Sequence, residues 1–127
     1  MRTGAQTFVG NISTTTIEFT NSVDYNIAAQ PVVREYTFNG TADSGDSEGA
    51  FFPDATDPAN LYRMLRVTNI TTSFTLKVRG AGNSNQICFG GDRHPAPLRY
   101  LHPGTSLLFV CYGGLWQAID GENAGAY

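Results

Sequence analysis

Residues 107–119 constrain the fold more than any other stretch of the chain. Leu107-Leu108-Phe109-Val110-Cys111-Tyr112, then Gly113-Gly114, then Leu115-Trp116-Gln117-Ala118-Ile119, reads as two strands joined by a two-residue turn. A type I′ hairpin turn needs positive φ at both central residues, and Gly113 and Gly114 adopt it without steric cost. In that register Cys111 lies opposite Trp116 and Tyr112 opposite Leu115. The first of these strands is apolar on both faces, so it needs two covers. One is the domain core, and the other is a loop or a neighbouring subunit.

The rest of the chain carries the same two-residue period. No window places apolar residues at i, i+3, i+4 and i+7, and Gly or Pro punctuates most of the longer stretches. In Ser13–Thr20, Ile17 and Phe19 share one face while Thr14, Thr16, Glu18 and Thr20 share the other. Further strands are expected at Val32–Phe38, Leu61–Thr68, Ser73–Arg79, Gln86–Phe89 and Leu98–Leu101. In Ser73–Arg79, Phe74, Leu76 and Val78 point inward and Thr75, Lys77 and Arg79 outward. Asn69-Ile70-Thr71-Thr72 then reads as a short hairpin connection. About eight short strands in 127 residues predict one all-β domain, 1–127, as a jelly-roll-like β-sandwich or an irregular barrel.

One segment breaks the pattern. Residues 39–60 carry Asp43, Asp46, Glu48, Asp54 and Asp57 around the pair Phe51-Phe52, with no strand or helix periodicity. Such a stretch is expected to be a long acidic loop, and loops of that length are usually functional or disordered. Leaving two phenylalanines in water is unfavourable at roughly 25 cal/mol per Å². The pair therefore folds back onto its own domain or packs into a partner.

Composition narrows the function. Charged residues are only 15% of the chain, against roughly 25% in soluble domains, and Thr, Asn, Ser and Gly fill the gap. A surface of short neutral polar groups is easily covered by another protein, which favours an assembling subunit. Lys77 is the single lysine beside seven arginines. That bias suits desolvated contacts, and equally a GC-rich genome. A net charge of −3, a pI of about 5.1 and the lack of a basic cluster argue against nucleic acid and anionic lipid as partners. No apolar run approaches the ~20 residues of a membrane helix. The N-terminal residues have no signal-peptide h-region, so synthesis and maturation are expected in a cytosol. There Cys88 and Cys111 read as buried small hydrophobes rather than a disulfide.

Chemistry-bearing patterns are sparse. Residues 43–48 alternate oxygens but lack the EF-hand order, and two histidines eight residues apart fit neither a cupin nor a zinc site. No Ser occupies a G-x-S-x-G elbow, and Gly80-Ala81-Gly82 opens no phosphate-cradling helix. Glu18 and Glu35 are strand-borne acids on outer faces rather than a facing pair. Neither an enzyme nor a cofactor is expected.

A resemblance supplies a more specific expectation. Pro97-Leu98-Arg99-Tyr100-Leu101, Pro103-Gly104-Thr105 and Leu108-Phe109-Val110-Cys111-Tyr112-Gly113-Gly114-Leu115-Trp116-Gln117-Ala118-Ile119 resemble the β module of bacteriophage capsid decoration (cement) proteins and phage tail fibres. Phe74 to Gly80 is similar to the strand that opens that module. The likeness covers about residues 61–120 and departs from the family at Gly113, where Asp commonly precedes the turn glycine. It implies a virion protein, commonly a homotrimer, made in the host cytoplasm. Without a long shaft, the chain fits a decoration subunit on the outer capsid surface, with itself and the major capsid protein as partners. Subunit contacts are then expected at Leu108, Val110, Tyr112 and Leu115. Shell contacts are expected from an N-terminal arm (1–10, with Arg2 and Phe8) and from Phe51 and Phe52. The alternative is a receptor- or carbohydrate-binding module of a tail fibre, with Tyr100, Tyr112 or Trp116 stacking on a sugar.

Overall fold

The computed structural model describes residues 16–28, 34–45, 48–89 and 94–121, without the side chains of the last two. Among the described residues, ten strands form two sheets: β1 (Thr16–Phe19), β2 (Asp24–Asn26), β3 (Glu35–Gly40), β4 (Gly49–Phe51), β5 (Met64–Asn69), β6 (Leu76–Arg79), β7 (Ile87–Cys88), β8 (Leu98–Leu101), β9 (Ser106–Tyr112) and β10 (Leu115–Gly121). The six-stranded sheet has the order β1-β3-β5-β9-β10-β7 and the four-stranded sheet the order β2-β4-β6-β8. Helical structure among the described residues is limited to short 3-10 turns such as Pro58–Asn60 and Ala81–Asn83.

The chain reaches these sheets by winding. From β1 to β6 it alternates between them, so each strand lies parallel to the one two places earlier. Thr16 sits beside Thr37 and Glu35 beside Arg66 in one sheet, and Asp24 beside Gly49 and Ala50 beside Val78 in the other. The last strands close the winding antiparallel, β8 on β6 and β9 on β5, with β10 folding back on β9. A jelly roll is antiparallel throughout. The expected jelly-roll order is therefore corrected, because successive strands cross between sheets instead of turning back within one.

Two further expectations change for the same reason. Asn69–Thr72 is not a hairpin, since β5 and β6 belong to different sheets. Asn69 makes the corner. Its wholly buried amide donates through Nδ2 to the carbonyls of Phe74 (2.8 Å) and Leu101 (2.9 Å), and Oδ1 accepts from Thr71 N–H (3.2 Å). A buried polar side chain bonded in this way ties three segments together without an orphaned group. Residues 39–60 are likewise no structureless loop. They include the end of β3, all of β4 and the 3-10 turn at Pro58–Asn60, which Asp57 caps through Ala59 N–H (2.9 Å). Asp43 Oδ1 accepts from Thr75 N–H (2.8 Å) and Ser44 Oγ from Lys77 N–H (3.2 Å), so this acidic stretch is laced to β6.

Alternation places the core. Phe38, Leu65, Val67, Leu107 and Phe109 from one sheet meet Ala50, Leu76, Val78 and Leu101 from the other in a single buried cluster. Trp116 belongs to this cluster, wholly buried, with Phe52 at 5.4 Å in an edge-to-face contact and Nε1 donating to the Pro53 carbonyl (2.8 Å). Gly40 is required where it stands. A Cβ there would come within 2.3 Å of the Phe19 ring on the neighbouring strand. The C-terminal hairpin matches expectation, with Leu115 opposite Tyr112, Trp116 opposite Cys111, and φ of 66° and 75° at Gly113 and Gly114.

Candidate functional site

The outer face of the six-stranded sheet carries a row of partly exposed apolar side chains. On β9 the inward residues Leu107, Phe109 and Cys111 are wholly buried. Leu108 and Val110 are half-buried and Tyr112 is 55% exposed. Register extends the outward row sideways. Met64 on β5 pairs with Val110, Arg66 with Leu108, and Leu115 on β10 with Tyr112. Side chains opposite one another in an antiparallel pair share a face. Leu108, Val110, Tyr112 and Leu115 are thus brought together on one surface, and Met64 (37% exposed) joins them.

One end of this surface is charged. A shallow depression is lined by Arg34, Glu35, Met64, Arg66 and Leu108. Arg66 donates to Ser106 Oγ (3.2 Å), which also bonds Thr68 Oγ1 (2.7 Å). Beyond that row the face turns polar toward β3 and β1. Met64, Leu108, Val110, Tyr112 and Leu115 thus form one partly exposed apolar strip with polar residues on its β3 side.

The other end holds a stacked tyrosine pair. Tyr62 lies just before β5, 63% exposed, with its ring 5.9 Å from that of Tyr112 and tilted by only 21°. Its backbone is unusual. Tyr62 N–H donates to the Cys111 carbonyl (2.7 Å) and Cys111 N–H to the Arg63 carbonyl (2.9 Å), so two residues face one across the ladder. This is a β-bulge whose first residue is left-handed, a position where glycine is usual. Tyr62 has φ of 65°, and for a bulky residue that conformation is unfavourable by about 1–2 kcal/mol. The bulge turns Tyr62 outward and Arg63 inward, where the Arg63 guanidinium donates to the Ala28 carbonyl (2.5 Å).

The remaining expected residues fall elsewhere. Arg2 and Phe8, with the rest of the arm, lie outside the described residues. Phe52 is packed within the core against Phe109 (5.0 Å) and Trp116, so it offers no surface to a shell. The pair at 51–52 folds back onto its own domain. Phe51 is half-buried beneath the Arg79 guanidinium, 5.8 Å from its ring. Arg79 itself is nearly buried, covered by Glu48 and Asn83, whose oxygens it bonds at 2.7 and 3.0 Å. Trp116 is removed from the sugar-stacking set by its burial, while Tyr100 (41%) and Tyr112 remain exposed. Tyr62 and Met64 were not singled out from the sequence.

Chemistry at other places is limited. Among the described residues, no three His, Cys, Asp or Glu side chains come together as a metal site. Cys88 and Cys111 are both buried and form no disulfide. Burial pushes the Cys111 thiol and the Tyr36 phenol up from their ordinary ranges, against a smaller opposing pull from Arg63. Both groups hold their protons longer folded than unfolded. Their contribution to stability is whole below the ordinary thiol range and is lost as pH climbs through the raised values. Urea melts from about pH 7 to pH 10.5 should show falling stability on the alkaline side, with a shallower fall in Cys111→Ala. An equal slope in that variant would remove Cys111 from the account.

No protein-family model matches the chain, and neither a curated protein nor a solved structure matches it.

Proposed function

We propose that the chain is a virion structural protein that decorates and stabilises the outer surface of a bacteriophage capsid, working as a two-layer β-sandwich that assembles into a homotrimer. The observation that carries this reading is the partly exposed apolar strip of Met64, Leu108, Val110, Tyr112 and Leu115 on the outer sheet face. The same face holds Glu35 beside Arg34 and Arg66, so both charge signs lie at the margin of the strip. The likeness of residues 74–80 and 97–119 to phage decoration and tail-fibre modules supplies the context. Binding to the major capsid protein would use the N-terminal arm with Arg2 and Phe8 together with the half-buried Phe51, while Phe52 is withdrawn from that role by its burial. A subunit that binds only the assembled shell stabilises it by mass action, and several contacts per trimer add avidity.

Light scattering on the purified protein, followed by mixing with empty capsids and separately with host cells, tests this. The expected result is a trimer that sediments with capsids and not with cells. Cell binding without capsid binding would instead favour the receptor-binding module, where Tyr100 and Tyr112 remain exposed. A protein that stays monomeric and binds neither would end both readings.

A further inference from the structure

The outer face of the four-stranded sheet carries a second depression, different in kind from the one beside Arg66. Leu76 and Val78 point into the core and are wholly buried, so Lys77 between them points outward, and the register sets Tyr100 of β8 opposite it. Asp43, Ser44, Thr75 and His102 complete the lining. Its volume is about 370 Å³, against about 210 Å³ beside Arg66. Sites for small ligands start at roughly 300 Å³. The smaller depression falls short of that, and the larger one suits a single sugar-sized molecule.

The walls are held before any ligand arrives. Ser44 N–H donates to the Thr75 carbonyl (3.0 Å), Thr75 N–H to Asp43 Oδ1 (2.8 Å) and Lys77 N–H to Ser44 Oγ (3.2 Å), so Asp43 is fixed against β6. Groups anchored on strands keep their geometry. The positive charge is already engaged, since Lys77 Nζ donates to the Gly45 carbonyl (2.7 Å) and lies 5.8 Å from the centre of the Tyr100 ring. An anion would have to draw it away. Asp43 is the one carboxylate in the lining, too few for a metal cation. Two atoms are left uncommitted: Asp43 Oδ2 and Thr75 Oγ1 make no hydrogen bond among the described residues. The first accepts, and the second both donates and accepts. Beside them the Tyr100 ring, 41% exposed, adds an apolar surface.

We propose that this depression binds one unit of a saccharide, with a C–H face of the sugar on the Tyr100 ring and its hydroxyls on Asp43 and Thr75. Such a ligand is neutral, donates and accepts hydrogen bonds, and has an apolar face, which is the combination the lining leaves unmatched. Of the three aromatic residues expected to stack on a sugar, Tyr100 is the one at this depression, while Trp116 is buried and Tyr112 lies on the other sheet. The site needs neither a second copy nor a shell, and so goes beyond the assembly proposed above.

Titrating the purified chain with the methyl glycosides of glucose, galactose, mannose and N-acetylglucosamine, followed by amide nitrogen–proton spectra, tests this. At least one is expected to shift the amides of Thr75, Lys77 and Tyr100 saturably. Tyr100→Ala should weaken that binding about tenfold or more, and Tyr100→Phe should keep it within about threefold. Asp43→Asn retains an oxygen for Thr75 N–H but replaces the second carboxylate oxygen by an amide NH₂. Binding should again fall about tenfold, with the thermal midpoint little changed. Silence from every glycoside at tens of millimolar would overturn the proposal, as would shifts centred elsewhere or binding that survives in both Tyr100→Ala and Asp43→Asn. Inorganic phosphate shifting these amides where no glycoside does would give the depression to an anion instead. Self-association and capsid binding are measured separately, so either reading can fail while the other stands.

Discussion

Val110→Asp is expected to abolish the self-association proposed for this chain and to leave a well-folded monomer. Val110 stands mid-strand on the outward row of β9, between Met64 on one side and Gln117 on the other. An unpaired carboxylate buried at the centre of an apolar contact has no partner there, and truncating or charging such positions weakens association by 2 kcal/mol or more, about thirtyfold in Kd. Because Val110 is only half-buried in the single chain, the fold itself loses little. Asp in place of Val in a strand is unfavourable by at most about 1 kcal/mol. Size-exclusion chromatography with light scattering, beside a thermal melt, reads both quantities. Unchanged mass would show that the outer face is not where copies meet. Loss of folding would show that the residue belongs to the core.

Trp116→Ala is expected to have the largest effect on stability of any single substitution. The indole fills the space between Phe52 and Cys111, and its removal leaves a cavity together with an orphaned Pro53 carbonyl. Large-to-small changes of this kind are unfavourable by about 3–5 kcal/mol, and the unmade hydrogen bond adds about 1 kcal/mol. Domains have about 5–15 kcal/mol in total. The thermal midpoint should fall by roughly 10–25 °C, and calorimetry would measure it. Trp116→Phe should recover most of that loss but not the Pro53 hydrogen bond. A midpoint within about 3 °C of wild type in Trp116→Ala would contradict the packing described for this residue.

The hairpin at Leu107–Ile119 was legible because everything that determines it is local. Two glycines select the turn, the turn fixes the register, and the register pairs Cys111 with Trp116 and Tyr112 with Leu115 as expected. Leu108, Val110, Tyr112 and Leu115 followed from the same alternation, since a strand apolar on both faces has a second face to place. The winding was not legible. Alternation has the same period in parallel and antiparallel strands, so Phe38 and Val67 look alike whichever way their strands run. At Asn69–Thr72 a polar stretch between two strands reads as a hairpin, and only the buried amide of Asn69 shows a corner between sheets. Residues 39–60 lacked periodicity because β4 is three residues long and its partners in β2 and β6 are distant in sequence. Tyr62 gave no signal at all, because nothing in a tyrosine codon marks a left-handed backbone.

The alternation of strands between two sheets also bears on how the molecule is made. Each parallel pairing from β1 to β6 joins segments separated by a strand of the opposite sheet, so none can form before the chain has travelled out and back. Closing such long loops is entropically expensive and slows the search. The one local nucleus among the described strands is the β9–β10 hairpin, which leaves the ribosome after the eight strands it must organise. Folding is therefore expected to wait until β9 and β10 have emerged, leaving the nascent β1–β8 dependent on whatever shields apolar strands in the meantime.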